Sequence, residues 1–334
     1  MIYVHVPFCG SFCTYCDFYS VLARQGAQFG PYTDELCREA DSRREEIERT
    51  RGVDTLYIGG GTPSLLPLDC ISSIVEAVGG VSGEFTVEVN PEDIVLRGAD
   101  YVKGLREAGV NRISMGIQSL DDGILRWMNR RHDSASAQKA YEIVRDAGID
   151  NVSVDVISGV PGLSDRMLSD TLERLCALAP EHISAYQLSV EEGSALASMI
   201  ASGQCAEASE EQCRQQYLTT CGILRSHGYG HYEISNWALP GREAVHNSAY
   251  WTRSPYVGLG PGAHSLRIGA DGSQQRSWNS QDLSGWTSTS EILSAEQIRE
   301  EEIMLGMRTS AGWGGRRLSE EEWLVSDSII AEYL

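Results

Sequence analysis

The first ~190 residues alternate strand-like and helix-like segments, and this alternation constrains the fold more than any other feature of the sequence. Short runs rich in Val, Ile, Tyr and Thr predict strands at 2–7, 54–58, 85–89, 112–117, 151–157 and 182–188. Helical patterns lie between them at 31–49, 67–78, 93–108, 134–147 and 164–178. Strands that alternate with helices pair in parallel through right-handed crossovers. The pattern therefore predicts an α/β fold, either a doubly wound sheet or a partial (β/α) barrel.

Polar residues and glycines follow all six predicted strands, and this distribution favours the barrel. Gly59-Gly60-Gly61 follow the second strand, Gln118 the fourth and Gly159 the fifth. An α/β barrel assembles its site from the loops after all of its strands, whereas a doubly wound sheet concentrates its site at one switch point. We therefore expect a partial (β/α)6 TIM-like barrel over residues 1–191. A small α+β C-terminal lobe is expected over residues 192–334.

Charge and hydropathy exclude several classes of function. The chain has 27 Lys and Arg against 47 Asp and Glu, a net charge of −20, which disfavours nucleic acid as a partner. No stretch approaches the ~20 apolar residues of a membrane-spanning helix. The first residues lack the basic region and apolar core of a secretory signal. We therefore expect a cytoplasmic protein with no nucleic-acid partner and no transmembrane segment.

Three of the nine cysteines, Cys9, Cys13 and Cys16, follow the first predicted strand directly. A structural zinc site needs four ligands, and only three are clustered here. A [4Fe–4S] cluster is held by thiolates, usually four. Three thiolates leave one iron open, where a substrate or cofactor can coordinate. Zinc and buried bystander cysteines remain alternatives, and the open-iron cluster is favoured.

Five segments, in the same order, resemble the radical S-adenosylmethionine (SAM) superfamily in its oxygen-independent coproporphyrinogen III oxidase-like branch. They begin at Tyr3, Cys9, Tyr57, Ser114 and Tyr232 and read Y-x-H-x-P-F-C, C-x3-C-x2-C, Y-I-G-G-G-T-P-S, S-M-G-I-Q-S and Y-E-I-S-N. The resemblance implies a [4Fe–4S] cluster on Cys9, Cys13 and Cys16, with SAM on its open iron. It also implies an electron donor such as flavodoxin or ferredoxin.

The same resemblance implies which residues contact SAM. Glycines permit close backbone approach to a ligand, and the matching segment of the family binds the methionine end of SAM, which implies Gly60, Gly61 and Thr62. The other implied contacts are polar side chains: Tyr3, Tyr15, Glu88, Gln118, Arg130 and Asp155. Without the cysteines, a tight turn would explain the glycines equally well. The charged side chains have alternatives of their own: helix N-termini could satisfy Glu88 and Asp155, and Arg130 could be a surface charge.

Three features favour the heme chaperones (the HemW type) over the oxidases of this branch. The oxidases carry a fourth cysteine where this sequence has Phe18. They also carry a segment ahead of the barrel, whereas two residues precede Tyr3 here. Residues 246–251, H-N-S-A-Y-W, resemble the H-N-x-x-Y-W element of the heme chaperones. Because neutral imidazole is a usual axial ligand of heme, this resemblance predicts that His246 binds heme. Taken alone, a histidine in a Trp- and Tyr-rich segment is more often a packed side chain.

The favoured function is that of a radical-SAM-type heme chaperone, which delivers heme to an apo-hemoprotein acceptor. The resemblance also implies a homodimer and peripheral contact with the inner face of the membrane. One alternative is an oxygen-independent coproporphyrinogen III oxidase of porphyrin biosynthesis, with coproporphyrinogen III as substrate. Another is a radical SAM enzyme acting on an unrelated substrate. No catalytic residue is assigned, and the C-terminal lobe is expected to be shortened after Arg308.

Overall fold

The computed structural model describes residues 1–24 and 26–334. The strands of these residues are β1 (Ile2–Val6), β2 (Phe8–Cys9), β3 (Val21–Leu22), β4 (Leu56–Gly60), β5 (Phe85–Val89), β6 (Arg112–Gln118), β7 (Val152–Ser158), β8 (His182–Gln187), β9 (Gly230–Glu233), β10 (Asn236–Ala238), β11 (Val257–Leu259), β12 (His264–Ile268), β13 (Gln274–Asn279) and β14 (Ser288–Ile292). The helices are α1 (Phe29–Ser42), α2 (Arg44–Arg49), α3 (Leu68–Val78), α4 (Pro91–Glu107), α5 (Asp122–Trp127), α6 (Ser134–Asp146), α7 (Asp165–Ala177), α8 (Ala195–Ala201), α9 (Glu210–Ser226), α10 (Val245–Trp251), α11 (Ala295–Met307), α12 (Glu320–Trp323) and α13 (Ser326–Ala331). A 3-10 turn covers Pro63–Leu65.

The central sheet has nine strands in the order β11-β1-β4-β5-β6-β7-β8-β10-β9. From β11 to β8 all neighbours pair in parallel, and β10 and β9 continue the sheet in antiparallel pairing. The six strands predicted from the sequence are β1, β4, β5, β6, β7 and β8, in chain order and within two residues of their predicted ends. The α/β fold class is therefore confirmed. Because these strands are parallel, the loops after them meet at one edge of the sheet.

The region after residue 191 contributes more to this sheet than the sequence indicated. The three-residue strand β11 pairs with β1, and β10 and β9 extend the opposite edge beyond β8. Such short strands carry too few residues for a period-2 pattern to be recognised. A separate antiparallel sheet of β12, β13 and β14 follows. The domain boundary at residue 191 stays a prediction.

Two predicted helices are divided in the structure. One helix is predicted at 31–49, and the structure has two, α1 and α2. They are separated at Arg43, whose backbone leaves helical geometry and whose Nη1–H group donates a hydrogen bond to the carbonyl of Gly258 at 2.8 Å. The charged helical pattern at 319–333 also predicts one helix, and the structure has the short pair α12 and α13 there. These two helices pack with α11 on a small second core. That core consists of Ile303, Met307, Leu318, Trp323 and Ile330. Among the described residues, no helix combines the length and apolar character needed to cross a membrane.

Candidate functional site

Cys9, Cys13 and Cys16 lie in the loop after β1, and all three line one cavity of about 450 Å³, called here the cysteine cavity. Cys9 ends β2, and its carbonyl accepts a hydrogen bond from the N–H of Ala23 at 2.9 Å. The N–H of Cys16 donates to the carbonyl of Cys13 at 3.4 Å. The three thiols are free and half-buried. The loop therefore presents three thiols to one cavity, as an iron–sulfur cluster with an open iron requires.

Burial and the nearby guanidinium of Arg130 have opposite effects on how readily these thiols ionise. Burial raises the pKa of Cys9 and raises that of Cys16 to about 11. The guanidinium of Arg130 lies beside them, with Nη1 3.3 Å from Cys13 Sγ. Arg130 is held there because its Nη2 donates to Asn90 Oδ1 at 2.6 Å. Metal binding must displace the thiol protons, and the nearby cation favours the resulting thiolates.

The glycines at the carboxyl end of β4 are required by close packing. A Cβ on Gly60 would lie 2.6 Å from the His5 ring, and Gly60 has a φ of +109°. A Cβ on Gly61 would lie 2.7 Å from the carbonyl oxygen of Phe8. The tight-turn alternative therefore accounts for both positions. Both glycines and Thr62 also line the cysteine cavity, so their contact with SAM stays a prediction.

Two carboxyl groups lie in the wall of the same cavity. Glu88 accepts hydrogen bonds from the hydroxyl of Tyr57 at 2.7 Å and the N–H of Gly60 at 3.0 Å, and burial raises its pKa to about 7. Asp155 accepts one from the hydroxyl of Ser114 at 3.3 Å, and burial raises its pKa to about 6. Their partners are therefore strand residues rather than helix N-termini. Both groups can exchange a proton near neutral pH.

Gln118 and Arg130 each leave one buried polar atom without a partner among the described residues: Oε1 of Gln118 and Nε of Arg130. Gln118 has a φ of +67° at a register shift between β6 and β7, a conformation that a non-glycine residue adopts at a cost. Buried polar atoms are normally satisfied, so the two unpartnered atoms, together with the strained backbone of Gln118, fit a polar ligand. Together with the thiols, these atoms fit a [4Fe–4S] cluster and a small charged cofactor.

The structure brings together eleven of the thirteen site residues predicted from the sequence. The cysteine cavity is lined by Cys9, Cys13, Cys16, Tyr15, Gly60, Gly61, Thr62, Glu88, Gln118, Arg130 and Asp155. Sequence reasoning missed Asn90, which holds Arg130 and donates to Thr62 Oγ1 at 3.1 Å. Its position directly after a predicted strand was the signal available. Tyr3 and His246 lie elsewhere.

A second cavity of about 400 Å³, called here the aromatic cavity, adjoins the first. It is lined by Tyr3, His5, Asp17, Phe18, Tyr19, Gly60, Glu88, Tyr250, Tyr256, Gly262, His264 and Gln281. Four of these residues, Asp17, Phe18, Gly60 and Glu88, also line the cysteine cavity. Sequence reasoning missed Tyr256 and His264. Their signal was the glycine-rich segment 258–262, which brings the chain close to β1.

His246 lies in α10 and is only 1% exposed. Its Nδ1 is 2.9 Å from the hydroxyl of Thr55, and its Nε2 is 3.2 Å from that of Tyr250. Burial lowers its pKa to about 3, so the ring is neutral. Iron ligation by His246 stays a prediction, and it would require one of these two hydrogen bonds to break.

Comparison with known proteins identifies the family to which this chain belongs. The model of the radical SAM superfamily matches residues 3–175. Heme chaperone HemW of Lactococcus lactis is 33% identical, over 93% of this chain and 82% of its own length. Heme chaperone HemW of Bacillus subtilis is 32% identical, over 99% and 89%. Coproporphyrinogen III oxidase (HemN) of Escherichia coli has the same fold, with a TM-score of 0.73 and 21% identity over 92% of this chain and 75% of its own.

Proposed function

Because this chain belongs to the radical SAM superfamily, and within it to the family of heme chaperone HemW, we propose that it binds heme and delivers it to apo-hemoproteins. Relatives named as heme chaperones match nearly the whole chain. The oxidase HemN, by contrast, contributes a likeness of fold alone. The chaperone is therefore the function that the relatives support.

The observation that carries this proposal in the structure is the aromatic cavity. Its walls include four tyrosines and one phenylalanine. Aromatic side chains suit the face of a porphyrin, and the volume of about 400 Å³ lies in the range of small-molecule sites. The shared wall with the cysteine cavity would place heme beside the cluster.

The cluster and SAM have their own proposed ligands. Cys9, Cys13 and Cys16 would hold the cluster, which supplies an open iron and a source of single electrons. Arg130 offers a cation, with its Nε free, to a carboxylate of the cofactor. Gln118 Oε1 offers an acceptor, and the Glu88 carboxylate offers a negative charge to an ammonium group. These assignments, with Tyr15 and Asp155 as further contacts, remain proposals for this chain.

Further parts of the proposal come from the family alone. We expect a homodimer, a flavodoxin or ferredoxin as electron donor, and an apo-hemoprotein acceptor. A cytoplasmic location, with peripheral contact at the inner face of the membrane, belongs to the same proposal.

The test is an anaerobic heme titration of the cluster-reconstituted protein, followed by the Soret absorbance. We expect saturable binding of one heme per chain. A protein that binds no heme but converts coproporphyrinogen III to protoporphyrinogen would be an oxidase instead. A protein that cleaves SAM and binds no tetrapyrrole would act on another substrate. His246→Ala, measured alongside, tests the ligand predicted from the sequence.

A further inference from the structure

The aromatic cavity contains an imidazole that the sequence analysis did not single out. His264 is the first residue of β12, its side chain is exposed, and it lines the cavity. Its ring stacks with that of Trp278 on the paired strand β13, at 6.3 Å between ring centroids. Partial burial and the charge of Arg276 lower its pKa, and no hydrogen bond to its ring is found among the described residues. His264 can therefore offer a ring nitrogen to a metal.

The backbone around His264 is fixed by close packing. A Cβ on Gly258 would lie 2.0 Å from the carbonyl oxygen of His264, so this approach requires glycine. The N–H of Gly258 donates to the hydroxyl of Ser265 at 2.9 Å. Gly258 itself lies in β11, which pairs with β1. His264 is thus held against the central sheet, as a metal ligand with defined geometry must be.

Two other histidines lie in this region, and each is bonded at both ring nitrogens. His5 lines the cavity, with its nitrogens bonded to the Tyr3 hydroxyl and the Tyr19 carbonyl. His246 adjoins the cavity through Tyr250. Tyr250 lines the cavity and packs edge-on against Tyr256, with ring centroids 4.8 Å apart. The hydroxyl of Tyr250 lies 3.2 Å from His246 Nε2, and Thr55 fixes the opposite nitrogen. His246 therefore orients one wall of the cavity from behind.

We infer that heme docks in the aromatic cavity with His264 as the axial ligand of its iron, while His246 is a positioning residue that holds the Tyr250 wall. The lone pair of a His264 ring nitrogen would bind the iron. The faces of Tyr250 and Tyr256 would contact the porphyrin. The inference rests on the proposed heme-carrying function, and it names the site and the ligand.

The experiment is an anaerobic heme titration of cluster-loaded protein, with difference absorbance in the Soret region and electron paramagnetic resonance of the ferric heme. The variants are His264→Ala, His264→Gly, His246→Ala and His246→Gly. His227→Ala is the matched control, because His227 is a partly exposed histidine that bonds Glu173 outside both cavities. Iron and sulfide content and far-UV circular dichroism verify that each variant is folded and loaded.

We expect His264→Ala to weaken heme binding at least tenfold and to remove the spectrum of a histidine-ligated iron. Added imidazole should restore that spectrum in His264→Gly, because it fills the space of the missing ligand. His246→Ala should weaken heme binding less than His264→Ala and should keep the histidine-ligated spectrum. Added imidazole should not change the heme spectrum of His246→Gly.

The outcomes separate the inference from the function. If the wild-type protein binds no heme, the proposed function fails. If the wild-type protein binds heme and His264→Ala keeps both its affinity and its spectrum, the inference is overturned and the function stands. If imidazole restores the histidine-ligated spectrum in His246→Gly and not in His264→Gly, His246 is the ligand, and the inference is again overturned.

Discussion

The cysteine cavity and the aromatic cavity share four residues, yet the chain builds them in different ways. The first is assembled from loops at the carboxyl ends of consecutive parallel strands, and most of its ligating atoms lie in recognisable motifs. The second joins the start of the chain, through Tyr3 and Tyr19, to a late segment, through Tyr250, Tyr256 and His264. The comparison teaches that a site made by a repeating βα pattern can be recognised locally. A site made by one long-range strand pair cannot.

The largest effect is expected in the cysteine cavity. Replacement of Cys9, Cys13 or Cys16 by Ala should abolish the visible absorbance of the reconstituted cluster, because two remaining thiolates do not hold it. Cys205→Ala is the control, since Cys205 is an equally half-buried cysteine that does not line the cavity. The measurement is iron and sulfide content after anaerobic reconstitution. Equal loss in Cys205→Ala would refute the ligand assignment.

A second effect tests the wall that the two cavities share. Gly60→Ala should lower the free energy of unfolding by about 3 kcal/mol, because its Cβ meets the His5 ring and its φ of +109° is unfavourable for alanine. Gly80→Ala is the control: Gly80 has a φ of +62° and open space around its Cβ position. It should cost about 1 kcal/mol. Urea denaturation measures both, and equal costs would mean that the contact with His5 does not matter.

A third effect is the pH dependence of the unfolding free energy, which Glu88 in the same wall should control. Burial raises the pKa of Glu88 from 4.5 to about 7 in the folded chain. The protonated Glu88 therefore contributes to the free energy of unfolding. This contribution is complete below pH 4.5 and is lost as the pH rises through 7. Glu88→Gln should reduce the decline in unfolding free energy between pH 5 and pH 8 by about 2 kcal/mol.

The control for the pH series is Glu302→Gln, at an exposed position of α11. Urea denaturation of the cluster-free protein at several pH values gives both slopes. An unchanged slope in Glu88→Gln would show that Glu88 stays ionised in the folded chain, and the shared wall would then carry a permanent negative charge.

The smallest effect concerns the aromatic cavity. Tyr250→Phe keeps the aromatic wall and removes the hydroxyl that contacts His246 Nε2 at 3.2 Å. We expect a loss of about 1 kcal/mol in unfolding free energy, as for one buried hydrogen bond. The spectrum of bound heme should not change, because Tyr250 does not ligate the iron. A changed spectrum would show that the freed His246 had become a ligand.

The sequence predicts the cysteine cavity well because its positions follow from a periodic pattern. Each strand of the α/β unit ends near the same edge, so residues such as Glu88, Gln118 and Asp155 were expected to meet. Eleven of the thirteen predicted residues do line one cavity. Tyr3 does not: it lies inside β1, and its side chain lines the neighbouring cavity.

The motif Y-E-I-S-N was informative in a different way. Tyr232 lines neither cavity, and its hydroxyl lies 2.8 Å from Nε2 of the buried His182. The carboxylate of Glu233 accepts a hydrogen bond from the N–H of Ser235 at 3.2 Å. This segment joins β9 and β10 to the sheet, so the motif identified the family through residues that stabilise the fold.

The sequence by itself determined the parallel α/β order, the three clustered thiols and the polar residues after each strand, because these depend on local pattern and on the handedness of crossovers. Only the tertiary structure decided which of His246 and His264 faces the aromatic cavity. His246 and His264 are 18 positions apart in similar aromatic and glycine-rich surroundings. One is 1% exposed with both nitrogens bonded, and the other lines a cavity. That difference arises from the packing of α10 and from the pairing of β11 with β1, which no local pattern encodes.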